Sequence, residues 1–420
     1  MRRISAVLVP IALTVGMWVG MAAQQSDAQE VYVAGVRGTE EGFHHWLEEF
    51  RPRALVAGIK PEILDLGLAG ANYLPTVVER DRRQDEFTNS IWDYLDKAVS
   101  DERISAGKHA LKENAELFDR IEAEYGVERN FVAAIWGLES AFGAMRGDIP
   151  TVSALATLAY DGRRGAYFEG ELMQVLRILQ DEQARADQLV GSWAGAMGHT
   201  QFMPTSFWKI AVDFDGDGRR NLWGDDPQDA LASTAAYLKA SGWKTGEGWG
   251  FEISLPEGFD WELAGDRTQK PMAFWAAKGI TRMDGGELPM DRWASLLLPA
   301  GYRGPALMVF DNFGAVETYN LADAYVIAVC HLADRLRGGA AFQHEWPRDL
   351  RVLTLPERME LQQRLTVAGF STAGVDGRVG PRTLNAIKGY QRAQGQVADG
   401  FASIDLLDML RATQAENARL

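Results

Sequence analysis

A single carboxylate within an apolar, aromatic helical stretch is the feature that most constrains this chain. Glu139 stands in the run 135–143, which ends on a glycine. Apolar residues recur at steps of four, three and four, the spacing of one buried helix face, at Phe131, Ile135, Leu138 and Phe142. Glu139 lies beside this face, so we expect it on the rim of the apolar stripe, partly desolvated if it borders a cleft. Burial raises the pKa of a carboxyl group, and a protonated Glu can act as a general acid. The alternative is an ordinary solvated Glu on a helix surface, and this stretch by itself does not distinguish the two.

The composition is that of a globular protein without a nucleic-acid partner. The chain has 420 residues, of which 46% are apolar and 10% aromatic. That length suggests about two to four domains with ample cores. The net charge of −15 argues against nucleic acid, because phosphate binding needs a basic surface, and leaves neutral sugars open. Cys330 is the only cysteine, which excludes an intramolecular disulfide and favours a buried small side chain.

The N-terminus has the pattern of a secretory signal peptide over residues 1–28. Two arginines precede an apolar run that extends to about Ala23, and small residues follow, so cleavage is expected near Ala23 or Ala28. An uncleaved anchor is the alternative, but Pro10 interrupts the apolar run. No cysteine near this site could carry a lipid. We therefore expect an exported, soluble protein.

The segment after it, about 29–337, is mainly helical with one short β-containing stretch. The patterns divide it into an N-terminal helical part at about 29–115 and a helical core in two pieces, at about 116–245 and 311–337. A β-containing insertion at about 246–310 separates the two pieces of the core. In the second core piece, helix is expected from Tyr319 through Leu336. The sequence therefore predicts a mainly α fold with a small β insertion.

The C-terminal part reads as a linker followed by a binding module. Residues 338–355 contain paired glycines and Pro347, and Pro356 follows directly, which is typical of a linker. Residues 356–420, the C-terminal module, show three helical patterns separated by Asp376-Gly377 and Asp399-Gly400. A unit of this size is too small for much chemistry, so we expect it to bind a ligand.

Two stretches have the composition of a ligand-binding surface. Residues 192–204 combine small residues, methionines and aromatics with Ser192 and Gln201, which suits a flat apolar groove wall with hydrogen-bonding groups for sugars; ordinary core packing is the alternative. Arg163 and Arg164 are paired on a loop. They are either solvated or hold the carboxylates of an acidic substrate.

Residues 213–221, the acidic loop, have the D-x-D-x-D-G spacing of a calcium loop. Three alternate carboxylates and one backbone carbonyl could converge on a cation, at Asp213, Asp215, Asp217 and Arg219. Gly224 stands where such a loop normally has its bidentate Glu. Closure would therefore come from Asp225, Asp226 or Asp229, and an acidic turn without metal is the alternative.

Together these motifs resemble the lytic murein transglycosylase B family, followed by a three-helix peptidoglycan-binding module. The resemblance spans nearly the whole chain after the signal sequence. It rests on residues 136–143, on 195–204, on the acidic loop through Leu222-Trp223, and on Tyr319-Asn320 with Tyr325. In the C-terminal module it rests on Leu361-Gln362, Asp376-Gly377, Gly380, Thr383, Tyr390-Gln391 and Asp399-Gly400.

The resemblance implies a lysozyme-like helical core with an N-terminal helical domain, the β-containing insertion and the C-terminal module. It implies Glu139 as the single acid/base. It also places substrate contacts on Ser192, Gln201, Phe202, Met203, Arg163, Arg164, Tyr237, Tyr319 and Tyr325. A structural Ca²⁺ would be held by Asp213, Asp215, Asp217, the Arg219 carbonyl and Asp229, with no cofactor for catalysis. Two departures are the extra residues 224–226 before Asp229 and Ala322, where the family often has Ser.

The implied function is non-hydrolytic cleavage of the β-1,4 bond between N-acetylmuramic acid and N-acetylglucosamine, which leaves 1,6-anhydromuramoyl ends. A hydrolytic muramidase on the same core is one alternative, and a non-catalytic wall-binding scaffold is another. The expected ligand is a peptidoglycan glycan strand. Cell-wall synthesis or division proteins are candidate partners, and we expect a monomer.

Overall fold

The structure is a computed structural model that describes residues 38–83, 90–265 and 267–417. The expected signal peptide lies outside these ranges, so its cleavage stays a prediction. Within them, no helix combines the length and the apolar character needed to cross a membrane.

The described residues form seventeen α-helices and seven short β-strands, so the mainly α prediction is confirmed. The helices are α1 (Glu40–Val56), α2 (Pro61–Leu68), α3 (Pro75–Arg83), α4 (Ile91–Ala98), α5 (Asp101–Glu113), α6 (Ala115–Tyr125), α7 (Arg129–Ser140), α8 (Thr151–Asp161), α9 (Gly165–Gln180), α10 (Pro204–Ile210), α11 (Gln228–Ala240), α12 (Met272–Ala277), α13 (Asp311–Glu317), α14 (Asp323–Leu336), α15 (Leu355–Val367), α16 (Pro381–Ala393) and α17 (Ile404–Asn417). The strands are β1 (Ile149–Pro150), β2 (Val190–Gly191), β3 (Gly250–Ser254), β4 (Lys270–Pro271), β5 (Thr281–Arg282), β6 (Trp293–Leu297) and β7 (Ala306–Val309).

Local sequence sets where several of these helices begin. The Thr39 hydroxyl accepts the Gly42 N–H at the start of α1 (3.1 Å). At α15, Thr354 and Glu357 form a reciprocal capping box, which satisfies two backbone N–H groups that the first turn leaves open. Pro61 and Pro381 stand at the first position of their helices, where the missing N–H costs nothing.

The chain divides into two compact units. The first unit holds the described residues up to 83, with Ser105–Ser241 and Tyr319–Leu321. One apolar core of this unit joins α1, α8 and α9 through buried side chains such as Phe50, Leu155 and Leu172. The bundle is held mainly by this apolar burial, worth roughly 25 cal/mol for each Å² removed from water.

The second unit holds the described residues from 90 to 104, Gly242–Thr318 and those from Ala322 onward. It contains an antiparallel five-stranded sheet with the order β4-β6-β7-β3-β5. Trp275, Met272 and Leu296 are buried beneath the sheet in a separate apolar core. The β-containing insertion expected at about 246–310 therefore exists, although the division at 311–337 and the other domain boundaries stay predictions.

Three of the strands coincide with short strand-like runs in the sequence at 251–255, 295–298 and 306–310, whereas β4 and β5 are only two residues long and carry no sequence signal. The helix expected from Tyr319 is wrong at its start. Residues 319–322 form a loop, and α14 begins at Asp323. Tyr319 therefore lies outside the helix, which lets its side chain point independently of α14.

The segment expected to be a linker is held to its own unit at several points. The Glu252 carboxylate accepts the N–H groups of Gln343 and His344, both at 2.7 Å. Trp346 packs on Trp92 of α4, and Arg348 pairs with Asp96 (2.7 Å). Residues 338–353 thus connect the elements without behaving as a free tether.

The C-terminal module is attached to the sheet region by a buried lysine. Lys388 of α16 is 3% exposed, and its ammonium group donates to the carbonyl oxygens of Trp261 (3.0 Å) and Ala264 (2.5 Å). Nearby, the Asp399 carboxylate accepts the Tyr302 N–H at 2.9 Å. Buried carbonyl groups of this kind are costly to leave without a donor.

Lys388→Met is therefore expected to destabilise the second unit by about 1–3 kcal/mol, because the carbonyl groups lose their donor while the apolar stem is kept. The readout is thermal unfolding together with the rate of proteolysis within 338–353. Lys97→Met, at an exposed lysine of α4, is the matched control and should change neither. Equal behaviour of the two variants would show that the lysine does not fasten the module.

A buried histidine makes the stability of the second unit depend on pH. His331 of α14 stacks on Phe342 with ring centroids 4.1 Å apart. Burial, and then the charge of Arg335, lower the pKa of His331 from 6.5 to about 4. The native state therefore keeps this ring neutral at pH values where the unfolded chain already binds a proton.

Stability should consequently fall as the pH drops from about 6.5 to 4, by roughly 3 kcal/mol, since one pKa unit corresponds to about 1.4 kcal/mol. In His331→Phe, which preserves the stacking, this contribution should disappear. Denaturant unfolding at several pH values measures it, and His344→Phe, at an exposed histidine, is the control. A pH dependence that persists unchanged in His331→Phe would contradict this assignment.

Candidate active site

Glu139 lies in the last turn of a helix that is buried on all sides. Every residue of α7 from Asn130 to Ser140 is buried, and Glu139 itself is 7% exposed. The helix packs against α6 and α11 of the same unit. A helix enclosed in this way belongs to the core rather than to the surface. Glu139 is therefore deeper than the rim position that the sequence predicts.

Three consecutive left-handed residues follow the end of α7. The φ angles are 50° at Ala141, 59° at Phe142 and 86° at Gly143. Two of these are not glycine, and backbone strain of this kind concentrates at functional sites. The prediction that Phe142 continues the buried helical face is wrong, because the helix ends at Ser140. Its ring instead packs edge-to-face on Trp136, with centroids 5.8 Å apart.

His199 fixes this helix end. The Trp136 indole Nε1 donates to His199 Nδ1 (3.1 Å), and Ser140 Oγ donates to the His199 carbonyl (2.5 Å). The Gly143 N–H in turn donates to Ser140 Oγ (2.9 Å). A Cβ atom on Gly143 would lie 2.6 Å from His199 Nδ1, so no larger residue fits there. The turn after Glu139 is thus built against this imidazole ring.

Residues Ser192 to Met203, the groove wall, form a compact double bend. Met197 and Phe202 exchange both of their backbone hydrogen bonds, at 2.9 and 3.1 Å. The Ser192 hydroxyl accepts the Ala196 N–H at 3.1 Å. Met203 is buried immediately before Pro204 opens α10. The structure therefore gives these side chains fixed places in one tight element.

Gln201 is held in a strained conformation within the wall. Its φ of 53° is left-handed. Its side-chain amide donates to the carbonyl oxygens of Arg146 (3.0 Å) and Gly198 (2.9 Å). These bonds use both amide hydrogens, so Oε1 is the atom with which Gln201 could accept a hydrogen bond from a ligand.

An aromatic cluster lies beside Glu139. Phe202, Tyr237 and Tyr319 pack edge-to-face, with centroid separations of 5.9, 6.0 and 5.0 Å. The Tyr319 hydroxyl donates to the Thr200 carbonyl at 2.6 Å. Burial, and then the negative charge of Glu139, raise the pKa of Tyr319 well above its usual value. Tyr319 therefore stays neutral within the electrostatic reach of the carboxylate.

The paired arginines are bound to a buried acid. Arg163 Nε donates to Asp81 at 2.6 Å, and Arg164 contacts the same carboxylate. Burial alone would raise the pKa of Asp81, but the hydrogen bonds from both guanidinium groups outweigh it and lower that pKa. Each arginine keeps about a third of its side chain exposed. Both guanidinium groups are thus bound to Asp81 and still partly exposed to solvent. Their contact with glycan stays a prediction.

Tyr325 is 2% exposed and belongs to α14 in the second unit. Its predicted contact with substrate stays a prediction. Such a buried position is more readily explained by packing within the helix's own unit than by an open ligand surface.

The acidic loop brings three carboxylates together. Asp213, Asp215 and Asp217 are exposed and place carboxylate oxygens within 4.8 Å of one another. Their other contacts are with loop N–H groups, such as Gly216 N to Asp213 Oδ1 (2.8 Å). Phe214 anchors the loop on α6, where it packs on Tyr125 with centroids 6.2 Å apart. Clustered carboxylates and a loop carbonyl at this spacing suit Ca²⁺, which takes oxygen ligands.

Asp229 closes the acidic loop through hydrogen bonds. One carboxylate oxygen accepts the Phe214 N–H and the other the Asn221 N–H, both at 2.7 Å. Burial raises the pKa of Asp229 despite these donors. The Asp225 carboxylate pairs with Arg146 (3.0 Å), and the Asp226 carboxylate accepts a hydrogen bond from Gln228. Both of these partners lie outside the acidic loop. Asp229 stays the predicted closing ligand.

Buried carboxyl groups are few in the first unit. Among its described residues they are Asp81, Glu139, Glu171 and Asp229. Asp81 holds two arginines and Asp229 holds two loop N–H groups. Glu171 accepts the Thr205 N–H at 2.8 Å, which secures the start of α10. Three of these four carboxyl groups therefore hold other parts of the first unit in place.

Sequence reasoning did not identify Asp81, Arg146, Glu171 or His199 as parts of this region. The signal for His199 was an imidazole placed between Gly198 and Thr200 in a run of small residues. The other three carry no local signal, because their partners lie far away in the sequence.

Comparison with known proteins identifies this arrangement. Residues 42–334 match the family of the transglycosylase SLT domain, which covers more than half of the chain. The chain belongs to this transglycosylase family. Residues 354–410 match a peptidoglycan binding domain family, which agrees with the predicted C-terminal module. The protein is thus a lytic transglycosylase, an enzyme that acts on peptidoglycan, and the family resemblance seen in the sequence is confirmed.

Individual relatives agree with this assignment. The membrane-bound lytic murein transglycosylase B of Escherichia coli is 36% identical over 252 residues, which cover 58% of this chain and 67% of that protein. The crystal structure of SltB3 from Pseudomonas aeruginosa in complex with NAG-anhNAM-pentapeptide superposes with a TM-score of 0.86 at 45% identity, covering 88% of this chain and 99% of that one. The Escherichia coli transglycosylase Slt35 in complex with calcium gives a TM-score of 0.60 at 31% identity, covering 69% and 92% of the two chains. The lysozyme-like transglycosylase fold is therefore confirmed.

Proposed function

We propose that Glu139 is the single acid/base of a non-hydrolytic reaction at the β-1,4 bond between N-acetylmuramic acid and N-acetylglucosamine. The observation that carries this proposal is the burial of Glu139 at the end of α7, within the electrostatic reach of Tyr319. Ordinary glycosidases need two carboxylates, one as the acid and one as the base or nucleophile. The other three buried acids of the first unit are engaged with arginines or backbone N–H groups. A reaction that needs only one carboxylate fits this inventory.

The reaction begins with transfer of the Glu139 carboxyl proton to the glycosidic oxygen. The bond from the muramoyl C1 to that oxygen breaks, and the N-acetylglucosamine unit leaves with a free hydroxyl. The muramoyl C6 hydroxyl then bonds to C1 and gives its proton to the Glu139 carboxylate. Glu139 is restored, and no water is consumed. Because the nucleophile belongs to the substrate, its proximity replaces a second protein carboxylate.

The groove wall and the aromatic cluster supply the surroundings for this step. Phe202 and Met203 provide apolar surface for sugar rings, while Ser192 and Gln201 provide hydrogen-bonding groups. Tyr237 and the neutral Tyr319 add aromatic surface next to Glu139. Because both amide hydrogens of Gln201 are already bonded, its side chain is fixed. It therefore loses little rotamer entropy when Oε1 accepts a hydrogen bond from a ligand.

We infer that the acidic loop binds a structural Ca²⁺. Asp213, Asp215 and Asp217 would supply carboxylate oxygens, the Arg219 carbonyl a backbone oxygen, and Asp229 the closing contact. The Slt35 complex with calcium supports this assignment. The ion would neutralise carboxylates that otherwise repel one another, and it takes no part in the bond-breaking step.

The remaining assignments concern place and partners. We propose that the protein acts in the periplasm after removal of residues 1–28, and that its C-terminal module holds peptidoglycan while the first unit cleaves it. Glycan strands are the expected ligand, and Arg163, Arg164 and Tyr325 are proposed as further contacts. Recruitment by cell-wall synthesis or division proteins and a monomeric state remain part of this proposal.

The nature of the products tests the reaction. Purified murein is digested, and the soluble fragments are treated with borohydride, which reduces hydrolytic muramic acid ends but not 1,6-anhydro ends. We expect fragments that resist reduction. The SltB3 complex with NAG-anhNAM-pentapeptide is consistent with that outcome. Reducible ends would identify a hydrolytic muramidase, and the absence of soluble fragments would favour a wall-binding scaffold.

A further inference from the structure

One imidazole connects the acidic loop with the helix that carries Glu139. On one side, His199 Nδ1 accepts from Trp136 Nε1 (3.1 Å), and the His199 carbonyl accepts from Ser140 Oγ (2.5 Å). On the other side, the backbone N–H of His199 donates to the Leu222 carbonyl (3.0 Å), and ring atom Nε2 lies 2.7 Å from the Gly224 carbonyl. The ring is 3% exposed.

The partners fix the protonation state of this ring. An indole N–H can only donate, so Nδ1 must be the acceptor; a carbonyl can only accept, so Nε2 must carry the hydrogen. Arg146 contacts the same Gly224 carbonyl and places Nη1 3.2 Å from Nε2. A second proton on the ring would direct an N–H against the Trp136 indole and add a charge beside this guanidinium. The neutral tautomer with hydrogen on Nε2 therefore satisfies the contacts with Trp136 and Gly224, and Arg146 Nη1 then donates to the Gly224 carbonyl rather than to the ring.

Both ends of this connection are tightly built. On the loop side, Gly198 has a φ of 71°, and a Cβ there would lie 2.0 Å from the Leu222 carbonyl oxygen. Residues 222–224 directly follow the acidic loop, which Asp229 holds at Phe214 and Asn221. Because packed interiors move between discrete arrangements, a shift of 222–224 would displace His199 and with it the end of α7.

We propose that His199 is a positioning residue that couples the state of the acidic loop to the placement of Glu139. It acts through Trp136, one turn before Glu139, and through Ser140, next to it. The inference deepens the proposed function, since it rests on Glu139 as the acid/base and on Ca²⁺ in the acidic loop. Ordering of the loop by Ca²⁺ favours the α7 geometry that binds and cleaves glycan, and by reciprocity bound glycan raises the affinity for Ca²⁺.

The test measures this coupling at equilibrium. In a Glu139→Gln background, which prevents turnover, isothermal titration gives the Ca²⁺ affinity with and without a saturating murein tetrasaccharide. We expect the glycan to raise the Ca²⁺ affinity at least about fivefold, the lower end of typical coupling. Adding His199→Phe keeps a ring over Gly143 and the backbone bonds to Ser140 and Leu222, but it removes the ring's hydrogen bonds to Trp136 and Gly224, so this ratio should fall clearly below that of the His199-containing protein. His109→Phe, at an exposed histidine of α5, should leave it unchanged.

Kinetics supply a second readout in the protein with Glu139 intact. His199→Phe should lower kcat on the order of 10²-fold with little change in KM, as expected for a misplaced acid/base. Trp136→Phe removes one hydrogen bond, retains the His199 ring, and should show the same split to a smaller extent; it keeps the test decisive if His199→Phe does not fold.

The outcomes separate this inference from the proposed function. Ca²⁺ binding with a coupling ratio that is equal in the His199-containing and His199→Phe proteins would overturn the coupling role and leave the calcium site intact. No Ca²⁺ binding at all would overturn both. A coupling ratio near one in the His199-containing protein would also overturn the inference, whatever the variants do.

Discussion

Glu139→Gln is expected to lower the rate of murein cleavage by roughly 10²–10⁴-fold or more, the usual contribution of a general acid/base. Gln has the shape of the protonated acid and can still form hydrogen bonds, but it has no carboxyl proton to give to the glycosidic oxygen. Because α7 is buried on all sides and the substitution preserves volume, the fold and glycan binding should persist. Release of soluble fragments measures the rate, and co-sedimentation with murein measures binding.

The matched control is Glu124→Gln on α6. It makes the same chemical change at an exposed glutamate of a helix that packs against α7. Its activity should equal that of the parent protein. Substantial activity in Glu139→Gln, with an unchanged melting temperature, would show that Glu139 is not the acid/base. Another group would then have to donate the proton.

Ca²⁺ is expected to stabilise the first unit by about 2.7 kcal/mol when present at one hundred times its dissociation constant. For a unit of this size, that corresponds to a rise of roughly 5–10 °C in melting temperature, which a chelator should reverse. The physical reason is the cluster of Asp213, Asp215 and Asp217, whose exposed carboxylates repel one another until a cation joins them. Mg²⁺ should have a smaller effect, because it prefers a rigid octahedral shell.

Asp215→Asn should abolish this rise, since the amide removes a charge from the centre of the D-x-D-x-D spacing. Asp148→Asn, at an exposed aspartate outside the acidic loop, is the control and should respond to Ca²⁺ like the parent protein. Melting curves recorded with Ca²⁺, with Mg²⁺ and with chelator decide the question. The same curve under all three conditions would mean that the loop is an acidic turn without metal.

Much of this fold follows from local sequence because its helices have regular apolar periodicity and recognisable ends. The three helices of the C-terminal module, for example, fall on the patterns that Asp376-Gly377 and Asp399-Gly400 separate. The family assignment follows from four motifs in order, each of which is ambiguous alone. The mainly α fold, the enzyme class and the binding module were therefore accessible from sequence.

What the sequence could not supply depends on long-range packing. Periodicity extends the apolar face to Phe142, but the ring of His199, far away in sequence, fits only against a glycine at 143 and a sharp left-handed turn. Likewise, no neighbour of Arg163 in the sequence indicates that its guanidinium group will bind the Asp81 carboxylate. Such contacts carry no local pattern, since each depends on two segments that meet only after folding.

We propose above all that the protein breaks glycan strands without water. The most direct test is digestion of murein in water enriched in ¹⁸O, followed by mass spectrometry of the new muramic acid ends. We expect ends that contain no ¹⁸O and are lighter than hydrolytic ends by one water. Ends that carry ¹⁸O at C1 would contradict it and would identify a hydrolase on the same fold.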